Sequence, residues 1–225
     1  MVTIANTEIF ESKESVITAL TQALHERICD KDTVLLLSGG SSISVSVAAI
    51  SRLPVHDRER LHIGMTDERY GLYDHPDSNW RALREAGLLE LGAAAYYPVL
   101  TEENLSLEAS AERYARVLEE LLSASANTIA IFGIGTDDHI AGMLPESVAV
   151  HERVQMVVGY DAGKFKRITM TPSALSRVHF ACVYAQGEEK FDAVERLATV
   201  LDSDTHPNQH IKKSMTYTVF YCPEV

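Results

Sequence analysis

Thr128-Ile129-Ala130-Ile131-Phe132 runs directly into Gly133-Ile134-Gly135-Thr136-Asp137-Asp138-His139-Ile140-Ala141-Gly142-Met143-Leu144-Pro145. A short unbroken apolar run bounded by turn residues reads as a strand buried on both faces, the kind that parallel sheets use. The glycines after it mark a tight turn, which presents Asp137, Asp138 and His139 together at the strand's end. Open α/β sheets bind their ligands beyond the carboxyl ends of their strands. Histidine is the side chain best suited to take up a proton at physiological pH. His139 beside a carboxylate is therefore a candidate general base for activating water. The same residues, taken alone, also fit a plain turn with solvated aspartates and an incidental histidine.

Outward from this segment, strands and helices alternate. Val16, Ile17, Leu20, Ala23, Leu24 and Ile28 recur at helical spacing. Residues 33–37 form a short apolar strand, followed by Ser38-Gly39-Gly40-Ser41-Ser42 and a helix over 44–53 that Pro54 stops. Residues 61–65 are the next strand and run into Thr66-Asp67-Glu68-Arg69. Helical patterns cover 78–90 and 107–122. Runs rich in Val, Ile, Phe, Tyr or Thr predict strands at 154–158, 167–170 and 180–184, then a helix over 188–201 and a last strand at 216–221. This order predicts an α/β fold, a largely parallel sheet with helices on both faces, formed by one domain over residues 1–225.

Composition limits the partners. The 225 residues are 46% hydrophobic and 23% charged, which suits an ordinary globular domain. A net charge of −12 argues against nucleic acid or an anionic membrane surface. No apolar run approaches the ~20 residues that cross a bilayer. The N-terminal stretch lacks a basic region followed by an apolar core, so no signal peptide is expected and a reducing cytoplasm is the expected location. Cys29, Cys182 and Cys222 are too scattered for a disulfide framework or a zinc ribbon. His206 and His210 stand one helical turn apart, but Pro207 argues against a helical metal pair, and no metal is expected.

Other strand ends also carry chemistry. Gly39 and Gly40 let a ligand approach the backbone, and the helix after them would aim free N–H groups at an anion, with the Ser41 and Ser42 hydroxyls as further donors. A simple tight turn explains that segment equally well. Asp67 suits proton transfer or the orientation of a sugar hydroxyl, and Arg69 can grip phosphate or carboxylate with its fork of N–H donors. A surface ion-pair cluster is the plainer reading there. Ser78 and Asn79 read as a helix N-cap. Lys164-Phe165-Lys166-Arg167 concentrates positive charge in an acidic protein, and Lys190 opens the helix that would follow the strand at 180–184.

Taken in order, Ser-Gly-Gly-Ser-Ser at 38–42, Asp-Glu-Arg at 67–69, Ser-Asn at 78–79, Gly-Ile-Gly-Thr-Asp-Asp-His at 133–139, Arg-Ile-Thr-Met-Thr at 167–171 and Gly-Glu-Glu-Lys at 187–190 form a set. This set resembles the signature of 6-phosphogluconolactonases and the related glucosamine-6-phosphate deaminases. The resemblance implies a Rossmann-like α/β fold whose strand-end crevice holds a sugar phosphate. Within that family, deaminases carry Asp-Glu-Tyr where this chain has Asp67-Glu68-Arg69. Deaminases also place a glutamate before the proline that ends the histidine motif, where this chain has Leu144. Both positions favour the lactonase side.

The resemblance then implies hydrolysis of 6-phosphoglucono-1,5-lactone to 6-phosphogluconate in the pentose phosphate pathway, without a cofactor. His139 would deprotonate the attacking water, and either Asp137 or Asp67 would orient the imidazole or a substrate hydroxyl. Backbone groups at Gly39, Gly40, Ser41 and Ser42, with Arg167 and Lys190, would hold the phosphate, and Arg69 would sit at the mouth. The alternatives are a deaminase or isomerase acting on an amino-sugar phosphate, and a non-catalytic sugar-phosphate-binding protein. Two residues depart from the family pattern: Asp138 stands where a glycine is usual, and Gly142 where a serine is usual. Asp138 is expected to hold a positive φ and to place negative charge beside His139 and the phosphate, so that Asp138→Gly would lower KM or move the acidic limb of the kcat/KM profile downward; the competing view is that Asp138 holds His139 or a different sugar.

Overall fold

The computed structural model describes residues 6–214 and 216–224. The chain runs β1 (Thr7–Ile9), α1 (Lys13–Ile28), β2 (Thr33–Leu37), α2 (Ser42–Ser51), α3 (Val55–Arg58), β3 (Leu61–Met65), β4 (Asp67–Arg69), α4 (Asn79–Glu85), β5 (Ala95–Tyr96) and α5 (Leu107–Ala124). It continues through β6 (Asn127–Gly133), α6 (Val148–His151), β7 (Val157–Asp161), β8 (Lys166–Met170), α7 (Pro172–Leu175), β9 (Phe180–Gln186), α8 (Phe191–Ala198), α9 (Gln209–Ser214) and β10 (Thr216–Cys222). No helix among the described residues is long and apolar enough to cross a membrane.

Among the described residues, seven strands form one sheet in the order β1-β10-β9-β6-β2-β3-β5, and every neighbouring pair is parallel. All five residues of β2 are buried. Successive strand residues point to opposite faces, so this pattern means that both faces of the sheet are covered, as expected from its apolar sequence. Helix α1 supplies part of that cover by burying Val16, Ile17, Leu20, Leu24 and Ile28, one stripe of an amphipathic helix. Its start is fixed by Ser12, whose hydroxyl accepts the Ser15 N–H.

The chain leaves β2 towards β3 and β5, then returns to the other side of β2 as β6 and continues outward through β9. The order of the sheet thus reverses between β2 and β6. At such a point the connections diverge and leave a crevice beyond the strand ends.

The strands at 157–170 depart from the sequence reading. They do not join the parallel sheet. β7 and β8 pair antiparallel with each other, and β8 pairs antiparallel with β4, in a separate three-stranded sheet. The connection 162–165 explains why: antiparallel strands can be joined by a short loop, whereas parallel ones need a crossover of a dozen or more residues. β7 also begins later than expected. Glu152 accepts the N–H groups of Arg153, Val154 and Gln155, which folds that stretch into a capped turn in place of a strand start. The helix expected over 188–201 is a 3₁₀ turn at Glu188–Lys190 followed by α8, ending where Thr199 becomes extended. The helix expected over 78–90 breaks after α4 at Gly87, whose φ is 92°.

Candidate active site

Four neighbouring strands deliver their carboxyl ends to one cleft. Gly39, Gly40 and Ser41 follow β2, Asp67 follows β3, Gly133 ends β6 with Gly135 and His139 after it, and Lys190 follows β9. Asn79, Arg69 and Arg167 also line it. Most of the site residues expected from the sequence therefore meet in space. Ser42 does not line the cleft: its hydroxyl donates back to the Ser38 and Gly39 carbonyls, which stabilises the start of α2. Asp137 stands beside the cleft through its contact with His139.

His139 Nδ1 lies 2.5 Å from Asp137 Oδ1. A carboxylate can only accept, so Nδ1 is the donor, and in the neutral imidazole Nε2 then holds the lone pair that a general base needs. The His139 N–H reaches the same carboxylate oxygen at 3.3 Å. That hydrogen bonding from His139 holds the Asp137 carboxyl down at about 2. The choice the sequence left open between Asp137 and Asp67 is thereby settled as to contact: Asp137 touches the imidazole. Gly135 is needed for this packing, because a Cβ there would come within 2.1 Å of His139 Nδ1.

Asp67 lies on the opposite wall. Its carboxylate is almost fully buried, accepts the Thr66 hydroxyl at 3.1 Å and lies 3.4 Å from Asn79 Nδ2. Arg167 Nη1 approaches it at 3.8 Å. The antiparallel sheet places this arginine, because Arg167 pairs with Arg69 across β8 and β4. The Nε–H groups of both arginines are buried without a hydrogen-bond partner among the described residues. Buried donors in a folded protein are nearly always satisfied, so two orphaned guanidinium N–H groups beside one cleft point to an anionic ligand. Helix α2 also begins at this cleft, just after Gly39, Gly40 and Ser41, and a helix N-terminus favours an anion.

Sequence reasoning assigned Ser78 and Asn79 to a helix cap, and Ser78 does cap α4 by accepting the Arg81 N–H at 3.0 Å. Asn79 does more. It is buried against the glycine turn so tightly that a Cβ on Gly39 would lie 1.9 Å from its Oδ1. Glu68 holds this unit together. Its Oε1 accepts the Arg69 and Asn79 N–H groups and its Oε2 accepts the Trp80 N–H and the Ser78 hydroxyl. Tyr114 from α5 bridges the Met65 N–H and carbonyl in the same way, fixing the end of β3. Nothing in the local sequence around Glu68 or Tyr114 signals these roles.

Burial pushes the Glu68 carboxyl up to about 7 against the pull of its four donors. A folded-state pKa above the unfolded value of about 4.3 means the native state holds that proton more tightly. The contribution is therefore present at low pH and is lost as pH rises from about 4.5 to about 7, amounting to roughly 3 kcal/mol. Denaturant unfolding of the protein at pH 5 and pH 8 is expected to show that decline, and Glu68→Gln, which cannot titrate, to lack it. Equal pH slopes in both proteins would contradict this role.

Asp138 requires a correction. Its φ of 69° is positive, as its replacement of a glycine suggested. Its carboxylate, however, does not face His139 or the cleft. It turns into the protein, where it pairs with the Arg196 guanidinium and meets the His206 ring nitrogen. The expected repulsion of the phosphate, and the gain expected from Asp138→Gly, lose their basis. His206, read earlier as half of a rejected metal pair, is a partner of Asp138.

Comparison with known proteins agrees with this geometry. The family model described as glucosamine-6-phosphate isomerases/6-phosphogluconolactonase matches residues 9–220. The 6-phosphogluconolactonase of Mycobacterium leprae is 28% identical over 208 residues, covering 84% of each chain. The human 6-phosphogluconolactonase is 26% identical over 205 residues, covering 84% of this chain and 80% of its own. The crystal structure of a 6-phosphogluconolactonase from Shewanella baltica superposes with a TM-score of 0.82 at 18% identity, over 96% of this chain and 97% of the other. That of Trypanosoma brucei gives 0.79 at 19% identity, over 96% and 95%. The structures share the fold, and the sequence match extends through every strand end of the cleft. The chain belongs to the glucosamine-6-phosphate isomerase/6-phosphogluconolactonase family.

Proposed function

We propose that this chain hydrolyses 6-phosphoglucono-1,5-lactone to 6-phosphogluconate. The observation that carries the reading is one cleft holding an Asp-oriented imidazole together with two arginines whose buried Nε–H groups lack partners among the described residues. His139 Nε2 takes a proton from water as that water attacks the lactone carbonyl. The tetrahedral intermediate collapses by breaking the bond to the ring oxygen, and the imidazolium returns its proton to the departing alkoxide. No redox step arises, and the lactone carbonyl is electrophilic without a cofactor. Arg69, Arg167, Lys190 and the N–H groups at Gly39–Ser41 hold the phosphate, while Asp67 and Asn79 face the sugar hydroxyls. Such positioning matters because general-base help contributes only about 10²–10⁴ in rate.

Against the deaminase reading, the position before Pro145 is Leu144, so the carboxylate that deaminases carry there is missing. The experiment offers the purified protein both compounds separately. The expected result is acid release from the lactone above its spontaneous rate and no ammonia from glucosamine 6-phosphate. Ammonia release without lactone acceleration would transfer the chain to the deaminase side, and binding of either compound without turnover would make it a sensor.

A further inference from the structure

Asp138 lies in the turn that carries His139, yet its side chain faces away from the cleft and is only 2% exposed. Its Oδ2 accepts the Arg196 Nε–H at 2.7 Å and lies 2.5 Å from His206 Nδ1. Arg196 also donates from Nη2 to the Thr136 carbonyl at 2.8 Å. One guanidinium from α8 thus grips both a side chain and a backbone oxygen of the turn. The Asn208 N–H donates to the Asp138 carbonyl at 2.9 Å, so the segment before α9 holds the same residue from a third direction. Gln209 ties this segment back to α8 by donating from Nε2 to the Arg196 carbonyl at 2.9 Å.

The turn itself is closed by few bonds. The Asp138 N–H donates to the Gly135 carbonyl at 3.0 Å, and the Gly135 N–H donates to the His139 carbonyl at 2.9 Å. Any movement of residue 138 is therefore transmitted to the backbone of His139 and to its contact with Asp137. A glycine at 138 would adopt the positive φ more easily but would leave Arg196 and His206 without the carboxylate that joins them.

We propose that Asp138, Arg196 and His206 form a positioning brace for His139, a set of hydrogen-bonded residues behind the turn that fixes the base without touching substrate. The proposal rests on His139 acting as the base. Reactions that depend on a near-attack geometry are sensitive to small displacements, so loosening the brace should reduce turnover more than binding.

The test uses Asp138→Asn, Arg196→Gln, Arg196→Lys and the Asn/Gln double variant of the full chain. Arg196 is about one-third exposed, so its substitution leaves the core intact even where changes at Asp138 impair folding. Asp138→Asn and Arg196→Gln are each expected to lower kcat about ten- to a hundredfold with KM within about twofold. The double variant should fall no further than the worse single one, because both remove the same contact. Arg196→Lys should recover part of kcat. Amide hydrogen exchange at Gly135 and Asp138 should quicken about tenfold or more while β2 and β6 stay protected. Wild-type hydrolysis with unchanged kcat in both single variants would overturn the brace alone, as would kcat losses that multiply in the double variant. Faster exchange in the variants of a wild type that does not hydrolyse the lactone would support the brace and overturn the lactonase reading.

Discussion

His139→Asn is expected to lower kcat for lactone hydrolysis by about 10²–10⁴ while leaving the fold and KM nearly unchanged. Asparagine keeps a polar group near the Asp137 carboxylate but offers no basic nitrogen to the water. The imidazole is one-third exposed, so its loss removes little packing. Circular dichroism and thermal melting check the fold, and initial rates corrected for spontaneous hydrolysis check the chemistry. Near-normal kcat in a folded variant would mean that another group activates the water. Asp67 would be next, since its carboxylate lines the cleft.

Arg167→Met is expected to raise KM for the phosphorylated lactone about ten- to a hundredfold, the loss of a charge-assisted contact worth roughly 1.5–3 kcal/mol. The unphosphorylated lactone should be affected much less. The asymmetry follows from the surroundings of Arg167: its side chain is 13% exposed, the Asp67 carboxylate oxygen is 3.8 Å away, and its Nε–H has no partner among the described residues. Such a group has more to gain from a phosphate than from the protein. Methionine retains the packing of the side-chain stem, which limits damage to β8. Equal losses for both lactones would show that Arg167 supports the wall of the site and does not read the phosphate.

The parts of this site that were legible in the sequence are those fixed by local pattern. The runs at Thr33–Leu37 and Leu61–Met65 are strands with the expected bounds, because a short apolar run ending in glycine or polar residues has few other uses. The residues just beyond them were therefore easy to place at strand ends. Arg167 was named as a phosphate ligand, but its position opposite Arg69 depends on the antiparallel sheet, which was read as part of the parallel one. Its signal was the short 162–165 connection. Asn79 belongs to the ordered set of motifs, but its packing against Gly39 is not legible locally, because an N-terminal helix residue after serine needs no explanation beyond a cap. Asp138 misled for a different reason. A departure from a family glycine announces a positive φ, but only the distant Arg196 and His206, brought in by α8 and the segment before α9, determine where the carboxylate points.

The most direct measurement compares 6-phosphogluconate formation from fresh 6-phosphoglucono-1,5-lactone in three parallel reactions: no protein, the wild-type chain, and folded His139→Asn at the same concentration. The wild type is expected to exceed the spontaneous rate clearly and His139→Asn to fall nearly to it. A wild-type rate equal to the protein-free rate, or a His139→Asn rate equal to the wild type, would contradict that expectation.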